Sequence, residues 1–239
     1  MIYNENAAIV LSERLKEIKE RIAQAALRSG RGDKDVFLVA ATKTQPSEII
    51  KEALRTGKID FAGENRVQEL RGHLEDGAYL QVPVHFIGHL QTNKLKYVVG
   101  KVKLIQSVDS INLASEVAKQ AQKAGVTQDI LLELNVAGEE SKFGFSPERL
   151  DEILPQVSKI SGINVRGIMA IPPKQEIPGQ NRPYFERLRQ VFIDSKAKKY
   201  DNVFMDYLSM GMSEDYYDAI LCGSNMVRIG TAIFGKREA

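Results

Sequence analysis

A single cysteine, Cys222, in a chain of 239 residues excludes an intramolecular disulfide framework and any zinc site of the CxxC kind. The three histidines, His73, His85 and His89, have no second ligand at metal spacing, so no metal is expected. Long apolar runs are missing too. Segments such as Val36–Ala41 fall far short of the roughly 20 residues needed to cross a bilayer. Met1 to Ala8 holds Asn and Glu and no basic stretch, which does not fit a secretion leader. Nor is there a strong charge of either sign. The formal net charge is +2, which gives no electrostatic case for a nucleic-acid or membrane partner. With 43% apolar and 27% charged residues, the expectation is an ordinary globular protein of the cytoplasm.

What the chain does have is alternation. Leu11, Leu15, Ile18, Ile22 and Ala25 fall on one face of an opening helix that Gly30 and Gly32 stop. Short apolar runs then recur at 36–42, 59–62, 84–88, 104–108, 130–136, 165–171, 203–208 and 226–229. Helical periods separate nearly all of them, at 46–55, 67–74, 111–124, 147–157, 184–198 and 213–221, with a short one at 92–99. Strands alternating with helices imply a parallel sheet. Eight such units fit a closed (β/α)8 TIM barrel better than an open doubly wound sheet. No linker, repeat or shift in composition marks a second domain, so residues 1–239 are expected to form one barrel with an extra N-terminal helix. The connections 137–145 and 172–183 are the longest, and the second holds four of the eight prolines. Both should lie at the carboxyl-end mouth, where loops shape the site.

Three places could carry chemistry. Lys43 directly follows the apolar run Val36–Ala41 and so projects near the mouth. Apolar walls there would favour its neutral amine, which can condense with an aldehyde, although a solvated lysine at a strand end reads as well. In the run Met226–Gly235, strand parity puts Met226, Arg228 and Gly230 on one face and Val227 and Ile229 on the other. An inward arginine is costly unless its donors are accepted, by a ligand or by a structural carboxylate. Gly230 lets a ligand approach the backbone and Thr231 offers an amide and a hydroxyl, at the usual barrel phosphate position. Ser213 reads as an N-cap with Glu214 and Asp215 complementing the helix end, and a phosphate there would meet their repulsion.

Weaker signals surround these. Gly63-Glu64-Asn65, His89, Gln91, Asn93 and Lys94 cluster at strand ends, where turns and functional groups use the same residue types. Lys94, Lys96, Lys101 and Lys103 read as a solvated face, and Cys222 as a buried small residue without a partner base.

Six segments, in order, resemble one family: Ala41-Thr42-Lys43-Thr44, Phe61 to Asn65, His85 to Lys94, Gly167 to Ile171, Leu208 to Asp215 and Val227 to Gly235. They are similar to the pyridoxal phosphate homeostasis proteins (the YggS/PROSC group). The family strand usually ends Val-Ser-Lys-Thr, and Thr42 here keeps a hydroxyl before the lysine. The resemblance implies a barrel similar to that of alanine racemase, without the C-terminal β domain, binding pyridoxal 5'-phosphate as a Schiff base on Lys43. It implies further that Arg228 faces the pyridine nitrogen and that Ser213, Gly230 and Thr231 hold the phosphate. Asn65, Met169, Ser209 and Met210 would lie near the ring.

Three functions follow from this. The leading one is a cofactor-binding protein of intracellular pyridoxal phosphate homeostasis, with little or no turnover and no catalytic residues. It would be monomeric, with apo pyridoxal-phosphate enzymes as possible partners and an indirect effect on amino-acid metabolism. An arginine at the ring nitrogen leaves the pyridine unprotonated and a poorer electron sink. The chain also ends four residues after Gly235, where racemases of this fold continue into a domain carrying catalytic groups. The alternative is a racemase or decarboxylase of the alanine racemase type. A barrel lyase using Lys43 without cofactor is the third.

Overall fold

The computed structural model describes residues 5–139 and 142–235. The reading of the N-terminus therefore lies partly outside the described residues, as do positions 140–141 of the first long connection. Eight parallel strands close on themselves in chain order: β1 (Phe37–Ala41), β2 (Phe61–Glu64), β3 (Val84–Phe86), β4 (Leu104–Val108), β5 (Gln128–Leu134), β6 (Ile163–Ala170), β7 (Val203–Ser209) and β8 (Met226–Ile229). Closure is made by β8 against β1, with Val39 opposite Arg228 and Ala40 opposite Ile229. The expected barrel is the observed one.

The strands are apolar on both faces because both are covered, as parallel sheets require. Outward residues such as Leu38, Ile130, Leu132, Val227 and Ile229 pack under the helices. Inward residues Val39, Ala41, Leu104, Leu131, Met169 and Met226 fill the barrel. The helices are α1 (Glu5–Arg28), α2 (Ser47–Arg55), α3 (Val67–Glu75), α4 (Ile111–Lys123), α5 (Leu150–Val157), α6 (Arg182–Lys196), α7 (Tyr216–Leu221) and α8 (Thr231–Phe234). The apolar stripe of α1, with Leu15, Ile18, Ile22 and Ala25 buried, packs where α2, α7 and α8 meet it. Gly167 permits β6 to approach β7: its φ is +145°, and a Cβ there would stand 1.9 Å from the Tyr207 carbonyl oxygen.

Three departures from the sequence reading have local causes. β2 runs to Glu64 rather than stopping at Ala62, because Gly63 and Glu64 pair with His85 and Phe86. After β3 the chain makes only 3₁₀ turns over Thr92–Tyr97, in place of a helix to residue 99. The helix expected from Ser213 begins at Tyr216, since Met212–Asp215 form a separate turn.

Candidate functional site

A cavity of about 410 Å³ opens at the carboxyl ends of the strands, lined by Lys43, Asn65, Ser213, Arg228, Gly230 and Thr231. Residues that stand far apart in the sequence meet there because β1 and β8 are neighbours. Lys142, Lys174 and Gln175 complete the rim from the long loops, and Glu214 from the turn after β7. Nothing in the local sequence marked the first three, and Glu214 was read only as complementing a helix end.

Lys43 sits in a four-residue turn between β1 and α2, closed by the Gln45 amide donating to the Thr42 carbonyl at 3.0 Å. Its neighbour Thr44 takes φ +62°, a left-handed conformation that turns the chain sharply at the mouth. Lys43 is exposed rather than walled in by the apolar strand, contrary to the sequence reading. The run Val36–Ala41 places the lysine without burying it.

Arg228 is buried, at 4% exposure, on the inner face that strand parity assigned to it. Nη1 donates to the Ser209 hydroxyl at 2.6 Å and Nη2 to the Ala170 carbonyl at 3.0 Å. Among the described residues no carboxylate lies within 4.0 Å of it, so it is not held by a structural ion pair. Burial pushes its pKa down to about 10, while Glu133 and Asp215 act in the opposite direction; it remains a cation at neutral pH. Beneath it the Ser209 hydroxyl donates to Gln106 Oε1 at 2.7 Å, and Gln106 Nε2 reaches His85 Nδ1 at 2.9 Å. Burial, with Lys103 adding to it, pushes His85 down to about 3, so the ring is neutral. Its Nδ1 accepts from Gln106, which leaves the proton on Nε2. The imidazole also stacks on Phe61 at 4.1 Å between centroids.

Ser213 does not cap the helix that follows. Its Oγ instead accepts from the Gly230 amide at 3.3 Å and the Ala232 amide at 3.2 Å, tying the β7 turn to the start of α8. Asp215 braces the same turn: Oδ1 accepts from the Met212 amide at 2.7 Å and Oδ2 from Asn181 Nδ2 at 2.8 Å. Gly230 is pressed against β1, where a Cβ would come 3.3 Å from both the Ala41 Cβ and carbonyl oxygen.

Asn65 lines the cavity, and its Oδ1 is buried without a hydrogen-bond partner. Buried amides are nearly always satisfied, so this oxygen stands as an unused acceptor beside the cavity. The remaining second-rank residues divide. Met169 is buried inside the barrel and Ser209 lies under Arg228, both a layer below the cavity wall. The Met210 side chain packs in the outer core, turned away from Ser209's side. Sequence reasoning also passed over Glu133 on β5, which burial and Asp109 raise to about 7 despite the opposing field of Arg228. His89 and Asn93 line a neighbouring hollow, where the exposed Phe143 ring stacks on His89 at 3.9 Å. Cys222 is half-buried, and burial and then Glu186 raise its thiol pKa, which suits an inert residue.

Residues 14–238 match the family described as "Alanine racemase, N-terminal domain". The chain is 46% identical over 226 residues to a "Pyridoxal phosphate homeostasis protein" of Aquifex aeolicus, covering 95% of this chain and 98% of that one. Its fold superposes on PipY of Synechococcus elongatus, solved with pyridoxal phosphate bound, with a TM-score of 0.81 and 29% identity, over 94% of this chain and 100% of PipY. An alanine racemase of Clostridium difficile shares the fold at a TM-score of 0.67 and 17% identity, over 95% of this chain and 57% of the racemase.

Proposed function

The chain belongs to the alanine racemase N-terminal domain family, among the pyridoxal phosphate homeostasis proteins, and on that premise we propose that it holds pyridoxal 5'-phosphate through Lys43 and serves the intracellular balance of that cofactor. The observation that carries the reading is the convergence of the Lys43 amine, the orphaned Asn65 Oδ1 and the buried, carboxylate-free Arg228 on one cavity. These groups fit a small aromatic aldehyde with an anionic tail. Lys43 would supply the nucleophile, and its exposure at the mouth suits reversible exchange with other amines. Arg228 would donate to the ring nitrogen and cannot give that nitrogen a proton. Ser213, Gly230 and Thr231 would bound the phosphate where β8 enters α8. When bound, the cofactor contributes an electrophilic carbonyl and a conjugated ring.

The same reading makes the protein a carrier with little turnover, acting as a monomer in the cytoplasm and passing the cofactor to apo enzymes that need it. No helix among the described residues is long and apolar enough to cross a membrane, which is compatible with that setting. The test is direct. The protein is mixed with pyridoxal 5'-phosphate, reduced with borohydride, digested and mapped by mass spectrometry. A pyridoxyl adduct on Lys43 is expected, and an unmodified Lys43 would overturn the assignment. Sustained turnover of any amino acid at ordinary enzymatic rates would favour a racemase or decarboxylase instead.

A further inference from the structure

Behind the cavity wall, on the outer face of the barrel, lies a second polar cluster that the binding site does not use. Glu64, at the end of β2, is fully buried. Its Oε1 receives the Thr42 hydroxyl at 2.5 Å and the Tyr79 hydroxyl at 3.0 Å, and stands 2.8 Å from His73 Nδ1. The other oxygen, Oε2, is buried with no partner. On the far side of the imidazole, His73 Nε2 reaches the Gln45 carbonyl at 3.0 Å. Thr42 and Gln45 are the first and last residues of the turn that carries Lys43. One carboxyl–imidazole pair therefore grips both ends of that turn.

Proton counting makes the grip conditional. A carbonyl oxygen only accepts, so Nε2 of His73 must carry hydrogen. Nδ1 and Glu64 Oε1 then need one further proton between them: either an imidazolium donates to a carboxylate, or a carboxylic acid donates to a neutral imidazole. With that proton gone, a lone pair on Nδ1 would face a carboxylate oxygen at 2.8 Å. Moving the remaining hydrogen to Nδ1 would release the Gln45 carbonyl. Either way one arm of the clamp opens.

We propose that Glu64 and His73 are positioning residues that share a single proton and thereby hold the Thr42–Gln45 turn, and with it the Lys43 amine, at the cavity mouth. The clamp is closed while the pair keeps its proton and loosens as pH rises and the proton leaves. The groups facing the pair from neighbouring elements are the Thr42 and Tyr79 hydroxyls, the Gln45 carbonyl and the Glu69 carboxyl of α3, which has Arg66 at 3.9 Å. Glu69 Oε2 is itself buried without a partner and supplies no proton acceptor bond to the cluster. Burial raises the Glu64 carboxyl above its usual range, against the hydrogen bonds from Thr42, His73 and Tyr79, which keeps a proton close at hand. This inference rests on Lys43 being the cofactor-binding amine.

The test is hydrogen exchange of the Gln45 amide, which donates to Thr42 inside the turn, in the ligand-free protein. It is paired with the rate at which Lys43 captures added pyridoxal 5'-phosphate. In the native chain, protection of this amide, corrected for intrinsic exchange, should fall at alkaline pH. His73→Phe should lower it by about ten-fold at neutral pH, the loss of one local restraint, and slow capture in parallel. Glu64→Gln should behave oppositely. Its amide nitrogen can donate to Nδ1 of a neutral His73 that still donates to Gln45, so protection should persist at alkaline pH. Equal protection and capture in His73→Phe and the native chain would overturn the proposal. Should His73→Phe fail to fold, the Glu64→Gln arm decides alone, and an unchanged alkaline loss in that variant overturns the proposal. Failure of the underlying lysine assignment is separately visible, as a native chain whose borohydride adduct is absent from Lys43 whatever the exchange pattern.

Discussion

The Arg228 guanidinium donates to the Ser209 hydroxyl at 2.6 Å across the β7–β8 seam, and that hydroxyl hands its own hydrogen to Gln106. The direction of the chain is set at its lower end by neutral His85, which accepts from Gln106. Arg228 is thus held as a donor aimed by groups beneath the cavity floor. Replacing Ser209 by Ala would leave Nη1 of a buried cation without that acceptor. Hydrogen bonds to charged groups are worth about 1.5–3 kcal/mol, so a loss of roughly 2 kcal/mol in unfolding free energy is expected, read from the urea midpoint. Affinity for pyridoxal 5'-phosphate should fall as well, because the guanidinium gains freedom.

His85 should govern stability in acid. The folded state keeps its ring neutral down to about pH 3, whereas the unfolded chain takes up a proton near the ordinary value of 6.5. Its contribution is therefore complete above pH 6.5 and is lost as pH falls from there toward 3, by up to about 4 kcal/mol on linkage grounds. His85→Gln, which can still accept from Gln106, should flatten the difference between urea midpoints at pH 7 and pH 4. An undiminished difference would remove His85 from the account.

Glu133 acts with the opposite slope. Its folded value of about 7 lies above that of an unfolded glutamate, so the native state prefers the protonated acid. Ionisation costs stability progressively from about pH 4.5 upward and in full above about 7, by roughly 1–2 kcal/mol once partial solvent screening is allowed for. Glu133→Gln should raise the urea midpoint at pH 8 and leave it nearly unchanged at pH 4.

Gly230 offers a clean separation of binding from folding. A side chain there has β1 at 3.3 Å behind it and the cavity in front. Gly230→Val is expected to weaken pyridoxal 5'-phosphate binding by at least about ten-fold, measured by titrating the absorbance of the complex. The stability change should stay near 1–2 kcal/mol, the range of ordinary overpacking.

Much of this was legible in the residues. The period of the apolar runs gave the barrel, and alternation along Met226–Ile229 correctly turned Arg228 inward. The Ser213 hydroxyl was singled out for a capping role, but a cap is a local inference, and its partners lie 17 and 19 residues away. Lys142 and Lys174 could not be placed from sequence, because long loops lack the periodicity that fixes a side chain's direction. The Glu64–His73–Tyr79 cluster escaped for the same reason in another form. Its members were read as strand-end, non-metal and unremarked residues, and only the packing of α3 and the segment after it against the end of β2 brings them together.

Pairing of the last strand with the first has a consequence for biosynthesis. Lys43 leaves the ribosome well before Arg228 and Thr231, and the wall that unites them exists only once β8 docks beside β1. A nascent chain still lacking its last strand can display the amine but not the opposite wall. The pocket is thus a product of barrel closure, and neither wall alone encloses a ligand.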